Sequence, residues 1–113
     1  RKESSAASDV YKRQQLDGAP ASIQVLPAIK AAVGDRIEVL MDGGIRSGQD
    51  VLRALASGAD GTLIGRAYIY GLGALGEAGV RETLNILRNE LDLTMAFCGC
   101  TNIANVSGDI LWS

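Results

Sequence analysis

Met41-Asp42-Gly43-Gly44-Ile45-Arg46-Ser47-Gly48 joins a short apolar strand to a helix, and Gly65-Arg66 ends the next predicted strand in a similar way. Glycine lets the backbone approach a ligand closely, and a helix that follows such a loop offers free N–H groups and the positive end of its dipole. Arginine adds paired donors for phosphate oxygens. The two loops together therefore predict a site for a phosphorylated cofactor or substrate.

The composition is that of an ordinary globular domain. The 113 residues are 47% hydrophobic and 21% charged, and the formal net charge is −2. This slight acidity, with no basic block beyond the first residues, argues against a nucleic-acid partner. No apolar run could span a bilayer and no signal peptide is visible, so we expect a cytoplasmic location.

The sequence gives no support to a metal site or a disulfide framework. It contains no histidine, and its two cysteines, Cys98 and Cys100, lie too close together to staple a fold. A zinc site would need further ligands of these types. We therefore expect two reduced thiols and no bound metal.

Helix and strand patterns alternate along the chain, which favours an α/β fold with a parallel sheet. Residues 21–33 predict a helix with one buried stripe, and Pro27 marks either its first turn or a kink. The stripe consists of Ile23, Leu26, Ile29 and Val33. Residues 37–41 are mostly apolar, so they predict a strand that is covered on both faces.

The next helix is expected to begin after Ser47. Ser47 and Asp50 have the spacing of a capping box, and Gly58 is the expected end of the helix. Residues 62–64 then predict a second buried strand. Both glycine-arginine loops would open at the carboxyl edge of the sheet, where parallel sheets bind ligands. In eight-stranded barrels, the loops after the last two strands frequently form a phosphate site.

A long helix is predicted from residue 77 to about residue 97, with Gly99 as its stop. Its apolar stripe consists of Val80, Leu84, Leu87 and Leu91. We interpret this stripe as core that faces the sheet, with subunit packing as the alternative. The preceding residues 72–76 predict a close approach of helices, and residues 101–103 the start of a final short helix.

Four stretches of this sequence resemble one enzyme family. They are Gln15-Leu16-Asp17-Gly18-Ala19-Pro20, residues 41–48, Ile64-Gly65-Arg66, and Leu91-Asp92-Leu93-Thr94-Met95-Ala96 with Cys98-Gly99. They resemble the carboxyl-terminal part of the FMN-dependent 2-hydroxy acid dehydrogenases and oxidases, which include L-lactate dehydrogenase and glycolate oxidase. The resemblance implies that residues 15–113 are the last portion of a (β/α)8 TIM barrel.

The resemblance also implies the chemistry of a parent protein. FMN would be the cofactor, and a small 2-hydroxy acid, with L-lactate the first choice, would be oxidised to the 2-oxo acid. The parent would be a homo-oligomer, and the lactate-dehydrogenase type would associate peripherally with the inner face of the cytoplasmic membrane. Electrons would pass from the flavin to a quinone, a cytochrome or oxygen.

The same resemblance assigns cofactor contacts to residues of this chain. Asp42 would bond a ribityl hydroxyl, the backbone of both loops would receive phosphate oxygens, and two arginines would neutralise the phosphate. The implied FMN-binding residues are Asp42, Gly43, Gly44, Ile45, Arg46, Gly65 and Arg66. For one glycine alone a plain turn or helix cap is the simpler interpretation, but two such loops at adjacent strand ends favour a phosphate.

No catalytic residue is assigned to this chain. In the family a Ser-Asn-His-Gly-Gly-Arg run precedes Gln-Leu-Asp, and here Tyr11 and Gln14 stand in the places of its histidine base and its carboxylate-gripping arginine. A tyrosine with an ordinary pKa of about 10 is a poor base at neutral pH. We therefore expect residues 1–14 to be a disordered or foreign leader, and the chain to be an inactive fragment of a flavoenzyme.

Two other functions stay open at this point. A nucleotide dehydrogenase of the IMP type also carries an Asp-Gly-Gly-Ile-Arg loop, although Gly65-Arg66 and residues 91–96 argue against it. A non-catalytic fragment that binds phosphate or forms oligomers would also fit glycine-rich contacts without an acid–base residue.

Overall fold

The computed structural model describes residues 19–112, and helices and strands alternate in them as predicted. The elements are helix α1 (Ser22–Val33), strand β1 (Leu40–Asp42), helix α2 (Gly48–Ala56), strand β2 (Gly61–Leu63) and helix α3 (Arg66–Phe97). Two short 3-10 turns follow, Ile103–Asn105 and Gly108–Ile110. The predicted leader of residues 1–14 lies outside the described residues.

Strands β1 and β2 form a two-stranded parallel sheet. The paired residues are Leu40 with Gly61, Met41 with Thr62 and Asp42 with Leu63. Helix α2 makes the crossover that a parallel pair requires. The first strand starts three residues later than the predicted range of 37–41, because the side chain of Asp60 accepts a hydrogen bond from the Val39 N–H at 2.8 Å just before the ladder begins.

One face of this sheet is covered and the other is open. Met41 is 6% exposed and belongs to a core cluster that also contains Leu26, Ile45, Ala54 and Ala59. Side chains alternate along a strand, so Leu40 and Asp42 lie on the opposite face. Leu63 shares that face because it is paired with Asp42. There Leu40 is 53% and Leu63 50% exposed. The prediction of a strand covered on both faces is therefore wrong for residues 19–112, which supply a covering layer for one face.

Helix α1 buries little of its predicted stripe. Leu26 is 3% exposed, whereas Ile29 is 45% exposed. Pro27 lies inside α1 and not in its first turn. Only in the first turn would its missing N–H have cost no helical hydrogen bond. The outer stripe positions stay exposed because the described residues place no further element against them.

Asp60 ties α1 to the start of the sheet. Its carboxylate accepts hydrogen bonds from the Val39 N–H at 2.8 Å and from Lys30 Nζ at 3.1 Å. The Val39 bond first, and the Lys30 bond second, lower the pKa of Asp60 below its ordinary value of 3.8. The Asp60 N–H also donates to the Val39 carbonyl at 2.7 Å, so these two residues are joined at two points.

Helix α3 consists of two segments separated by a kink. Leu75 and Gly76 have non-helical angles, and Gly76 has a φ of +62°. The kink brings Gly71 and Gly79 so close that a Cβ added to Gly79 would collide with the Gly71 carbonyl. The close approach lies between Gly71 and Gly79 and not within the predicted residues 72–76, because a Cβ added to Gly73 or Gly76 would meet nothing within 4 Å. The second segment follows the kink, as predicted for a helix from residue 77, and a first segment from Arg66 precedes it. Of its predicted stripe, Leu87 is buried and Leu84 is 52% exposed.

The end of α3 is closed by Gly99, as predicted. Gly99 has a φ of +74°. Its N–H donates to the Ala96 carbonyl at 3.2 Å, and the Cys100 N–H donates to the Met95 carbonyl at 2.8 Å. This pair of bonds is the Schellman motif, which satisfies the last carbonyls of a helix. The chain then enters the 3-10 turn that Asn102 caps, close to the predicted final helix.

Helices α2 and α3 meet most closely at Gly48. This residue is the first of α2 and is buried. A Cβ added to it would overlap the backbone of α3 at Glu90 and Leu91. The start of α2 is therefore held directly against the α3 backbone, with no room for a side chain.

Gly48→Ala should destabilise the chain, because the added methyl group would force α2 away from α3. Overpacking of this kind costs about 1–3 kcal/mol. Gly73→Ala is the matched control, since an added Cβ there meets nothing within 4 Å and alanine is the better helix former by about 1 kcal/mol. Urea unfolding followed by circular dichroism measures both effects. Equal destabilisation by the two variants would contradict the close contact.

Asp60→Asn should lower the free energy of unfolding at neutral pH and flatten its acid dependence. The pKa of Asp60 is lowered in the folded chain. Its carboxylate therefore contributes fully to the free energy of unfolding above the ordinary pKa of 3.8, and this contribution is lost as the pH falls through the folded-state pKa. Asp35→Asn is the control, because Asp35 is a fully exposed partner of the same Lys30 at 3.9 Å. Unfolding curves at several acidic pH values measure both variants, and an unchanged acid dependence in Asp60→Asn would contradict the role of this carboxylate.

Candidate functional site

The strand register places the two glycine-arginine loops side by side. Asp42 and Leu63 are the last ladder pair, so Gly43-Gly44 on one strand and Ile64-Gly65 on the other continue past the same edge. Neighbouring strands lie about 4.8 Å apart, which is close enough for one phosphate group to contact both loops. The structure thus brings the predicted loops together at the carboxyl edge of the sheet.

The first loop depends on glycine for its conformation. Gly43 and Gly44 have φ values of +105° and +75°, in the region that residues with a Cβ rarely adopt. A Cβ added to Gly44 would meet nothing within 4 Å, so the space beside this loop is open. Ile45 is 4% exposed and its side chain belongs to the core, so it is the backbone of Ile45 that can face a ligand.

Several N–H groups of the two loops are available to an anion. Within residues 19–112, the N–H groups of Gly44, Ile45 and Gly65 donate no backbone hydrogen bond. Backbone donors of this kind are strong hydrogen-bonding groups that need a partner, whether protein, water or ligand. Phosphate oxygens would satisfy them.

At the start of α2, in contrast, two N–H groups already have acceptors within the protein. Ser47 Oγ accepts from the Asp50 N–H at 3.1 Å, and Glu90 Oε1 accepts from the Gly48 N–H at 2.9 Å. The capping prediction is confirmed, although the Asp50 carboxylate accepts from the Arg46 N–H at 3.1 Å and not from Ser47. The expectation that this helix offers free N–H groups is therefore wrong at Gly48 and Asp50.

The start of α3 has the opposite character. Its N-cap is Gly65, which provides no side-chain cap, and its first turn contains no acidic residue. Such a helix end carries unsatisfied N–H groups and about half a positive charge. The sequence analysis predicted no helix that starts at Arg66. The residue before Arg66 is glycine and not Ser, Thr, Asp or Asn, so the sequence does indicate that a helix starting here lacks a side-chain cap.

The two arginines lie on these loops without an acidic partner among the described residues. Arg46 is exposed and Arg66 is half-buried. The ion pairs of residues 19–112 involve other cations, namely Lys30, Arg53 and Arg81. Within residues 19–112, no carboxylate therefore neutralises the charge of either guanidinium group. Asp42 is half-buried at the end of β1, on the same face of the sheet as Leu40, and its Oδ1 is buried.

The described residues offer neither a metal centre nor a transmembrane helix. Residues 19–112 contain no group of three or more histidine, cysteine, aspartate or glutamate side chains that could hold a metal ion. No helix in this part of the chain combines the length and the apolar character that crossing a membrane requires. Cys98 is exposed and Cys100 is half-buried, and both are free thiols.

Comparison with known proteins identifies a family of flavoenzymes. Residues 13–113 match the FMN-dependent dehydrogenase family. Over 97 residues the chain is 54% identical to pre-mycofactocin synthase of Mycobacterium tuberculosis, covering 85% of this chain and 24% of that protein. It is 53% identical over 98 residues to L-lactate dehydrogenase of Caulobacter vibrioides, covering 87% of this chain and 26% of that protein.

A solved structure shows the same likeness in three dimensions. It is described as that of a monotopic membrane protein, (S)-mandelate dehydrogenase, and superposes with a TM-score of 0.81 at 44% identity. The match covers 86% of this chain and 26% of that one. The observed α/β fold thus corresponds to a part of a longer enzyme.

The chain belongs to the FMN-dependent dehydrogenase family. This confirms the resemblance found in the sequence and FMN as the cofactor of the family, and it decides against the nucleotide-dehydrogenase alternative. The chain spans about a quarter of the length of the curated relatives it matches. The names of the relatives point to several substrates, so the comparisons identify the family without identifying one substrate.

Proposed function

We propose that residues 15–113 form the last part of a (β/α)8 barrel that oxidises a 2-hydroxy acid, and that they supply its FMN phosphate site. The observation that carries this proposal is the pairing of Asp42 with Leu63, which brings both glycine-arginine loops to one edge. L-lactate is our proposed substrate, and the likeness to the Caulobacter enzyme supports it.

The groups at this edge fit a phosphate dianion. The loop of Gly43 to Arg46 offers bare backbone, and the uncapped start of α3 adds N–H groups and a favourable dipole. Arg46 and Arg66 supply charge-assisted hydrogen bonds. The start of α2 does not fit an anion, because the Asp50 and Glu90 carboxylates already lie there. The phosphate would therefore be held by the two loops and by α3.

The contribution of this chain to catalysis is to hold and orient the cofactor. FMN, when bound, accepts the two electrons that leave the substrate. The two loops would hold the phosphate at the sheet edge and so anchor that end of the cofactor. Asp42 stands on the open face at the same edge, where its carboxylate would accept a hydrogen bond from a ribityl hydroxyl. The sequence contains no histidine, so we assign no substrate base to this chain.

The open sheet face supports the barrel proposal. In a closed barrel, alternate side chains of each strand point inward. Leu40, Asp42 and Leu63 share the uncovered face of β1 and β2, and both leucines are at least half exposed. Further strands and their side chains would cover this face. The face that carries Asp42 would then be the barrel interior.

The wider setting of the enzyme is also a proposal. Peripheral association with the inner face of the cytoplasmic membrane fits the likeness to a mandelate dehydrogenase that is described as monotopic. Assembly as a homo-oligomer and the absence of a nucleic-acid partner remain predictions from the sequence.

Arg66→Ala should weaken FMN binding about 10- to 100-fold, since a hydrogen bond to a charged group contributes about 1.5–3 kcal/mol. The loops are tested in a chimera in which residues 15–113 replace the matching segment of the Caulobacter L-lactate dehydrogenase. Fluorescence titration measures the affinity for FMN and for riboflavin, which lacks the phosphate. Riboflavin binding should be unchanged. Arg81→Ala, which removes an exposed ion pair with Glu77 on α3, is the control. Undiminished FMN affinity in Arg66→Ala would remove the assignment.

The 113-residue chain alone should not oxidise L-lactate, because it holds no histidine that could serve as the base. The assay follows reduction of a dye acceptor in the presence of excess FMN and L-lactate, with circular dichroism to verify that the chain is folded. The chimera, in which the Caulobacter protein provides the upstream residues, is the positive control. Turnover by the folded chain alone would contradict the proposed division of roles.

A further inference from the structure

Glu90 makes a long-range contact that neither the sequence motifs nor the phosphate proposal explains. Its Oε1 accepts a hydrogen bond from the Gly48 N–H at 2.9 Å, across 42 residues of sequence. Glu90 lies on the second segment of α3, about four helical turns after the kink at Leu75 and Gly76. Its carboxylate therefore joins this second segment to the first residue of α2.

The contact is built into the backbone of both helices. Gly48 is buried, and a Cβ at this position would overlap the backbone at Glu90 and Leu91. The absence of a side chain at Gly48 is what lets the Glu90 carboxylate reach the N–H. The close approach and the hydrogen bond occur at the same point, so they fix both the distance and the direction of α2 against α3.

The start of α2 in turn fixes the end of the phosphate loop. Asp50 Oδ2 accepts from the Arg46 N–H at 3.1 Å, and Ser47 Oγ accepts from the Asp50 N–H at 3.1 Å. These bonds hold the backbone of Arg46 to the first turn of α2. The other end of the loop continues from β1, which is held by its pairing with β2.

We propose that Glu90 is a positioning residue for the FMN phosphate loop. It holds the start of α2, and through Ser47 and Asp50 it sets the backbone of Arg46 in the position that presents the loop to the phosphate. This inference rests on the proposed function of the loop. Glu90 touches neither cofactor nor substrate in this role.

The same contact determines which helix receives the anion. With the Gly48 N–H taken by Glu90 and the Asp50 N–H taken by Ser47, the start of α2 has few donors left. Two carboxylates at that end also oppose a second negative charge. The uncapped start of α3 is then the helix end that faces the phosphate.

The test uses the chimera that carries residues 15–113. Glu90→Ala should weaken FMN binding about tenfold, the effect of losing one good hydrogen bond, and leave riboflavin binding unchanged. Glu90→Gln keeps an oxygen acceptor for the Gly48 N–H and should restore FMN affinity to within about twofold. Glu82→Ala removes an exposed glutamate from the same helix and is the control. If Glu90→Ala does not fold, Glu90→Asp, whose shorter side chain withdraws the carboxylate, carries the same test.

A double-mutant cycle with Asp50→Ala gives the second readout. If Glu90 acts through the loop, its substitution should have a smaller effect on FMN binding once the Asp50 carboxylate that holds the Arg46 N–H is absent. Additive effects, or equal losses of FMN and riboflavin affinity, would show a merely structural role and overturn the proposal. An unmodified chimera that binds riboflavin as tightly as FMN would overturn the phosphate site itself, and the role of Glu90 with it.

Discussion

The parallel pairing of β1 with β2 is the constraint on which the rest of the site depends. A shift of one residue would exchange the two faces of a strand, because side chains alternate. Met41 would then leave the core and Asp42 would enter it. Two features oppose such a shift: Met41 is buried in the core cluster, and Val39 is joined to Asp60 by two hydrogen bonds just before the ladder.

The two helices that start at this edge differ in how their first turns are satisfied. Helix α2 has a serine cap, an acidic first turn and the Glu90 carboxylate, so its positive end is already neutralised. Helix α3 begins after a glycine with no acidic residue in its first turn. Since an anion gains most at an uncompensated helix end, the start of α3 is the better place for the phosphate that we propose.

Local signals in the sequence predicted the parts of the fold that depend on neighbouring residues. The Ser47 cap, the Gly99 stop and the meeting of the loops follow from short motifs and from strand order. The contact between Glu90 and Gly48 could not be predicted, because 42 residues separate its partners. Burial was overestimated at Ile29 and Leu84, since burial depends on neighbouring elements and not on periodicity alone. The roles of individual loop residues came from family resemblance.

The open face of the sheet changes in character toward the site. Leu40, at the start of the ladder, is apolar and 53% exposed, and two residues further along the same face stands the carboxylate of Asp42. Beyond it the backbone loops carry N–H groups and the two arginines. In barrels of this class the interior is filled with apolar side chains and the ligand lies at the carboxyl ends of the strands. A face that is apolar along the ladder and polar at its carboxyl end has the polarity that such a barrel needs. The same three residue pairs would therefore account for both the apolar interior and the phosphate site that we propose.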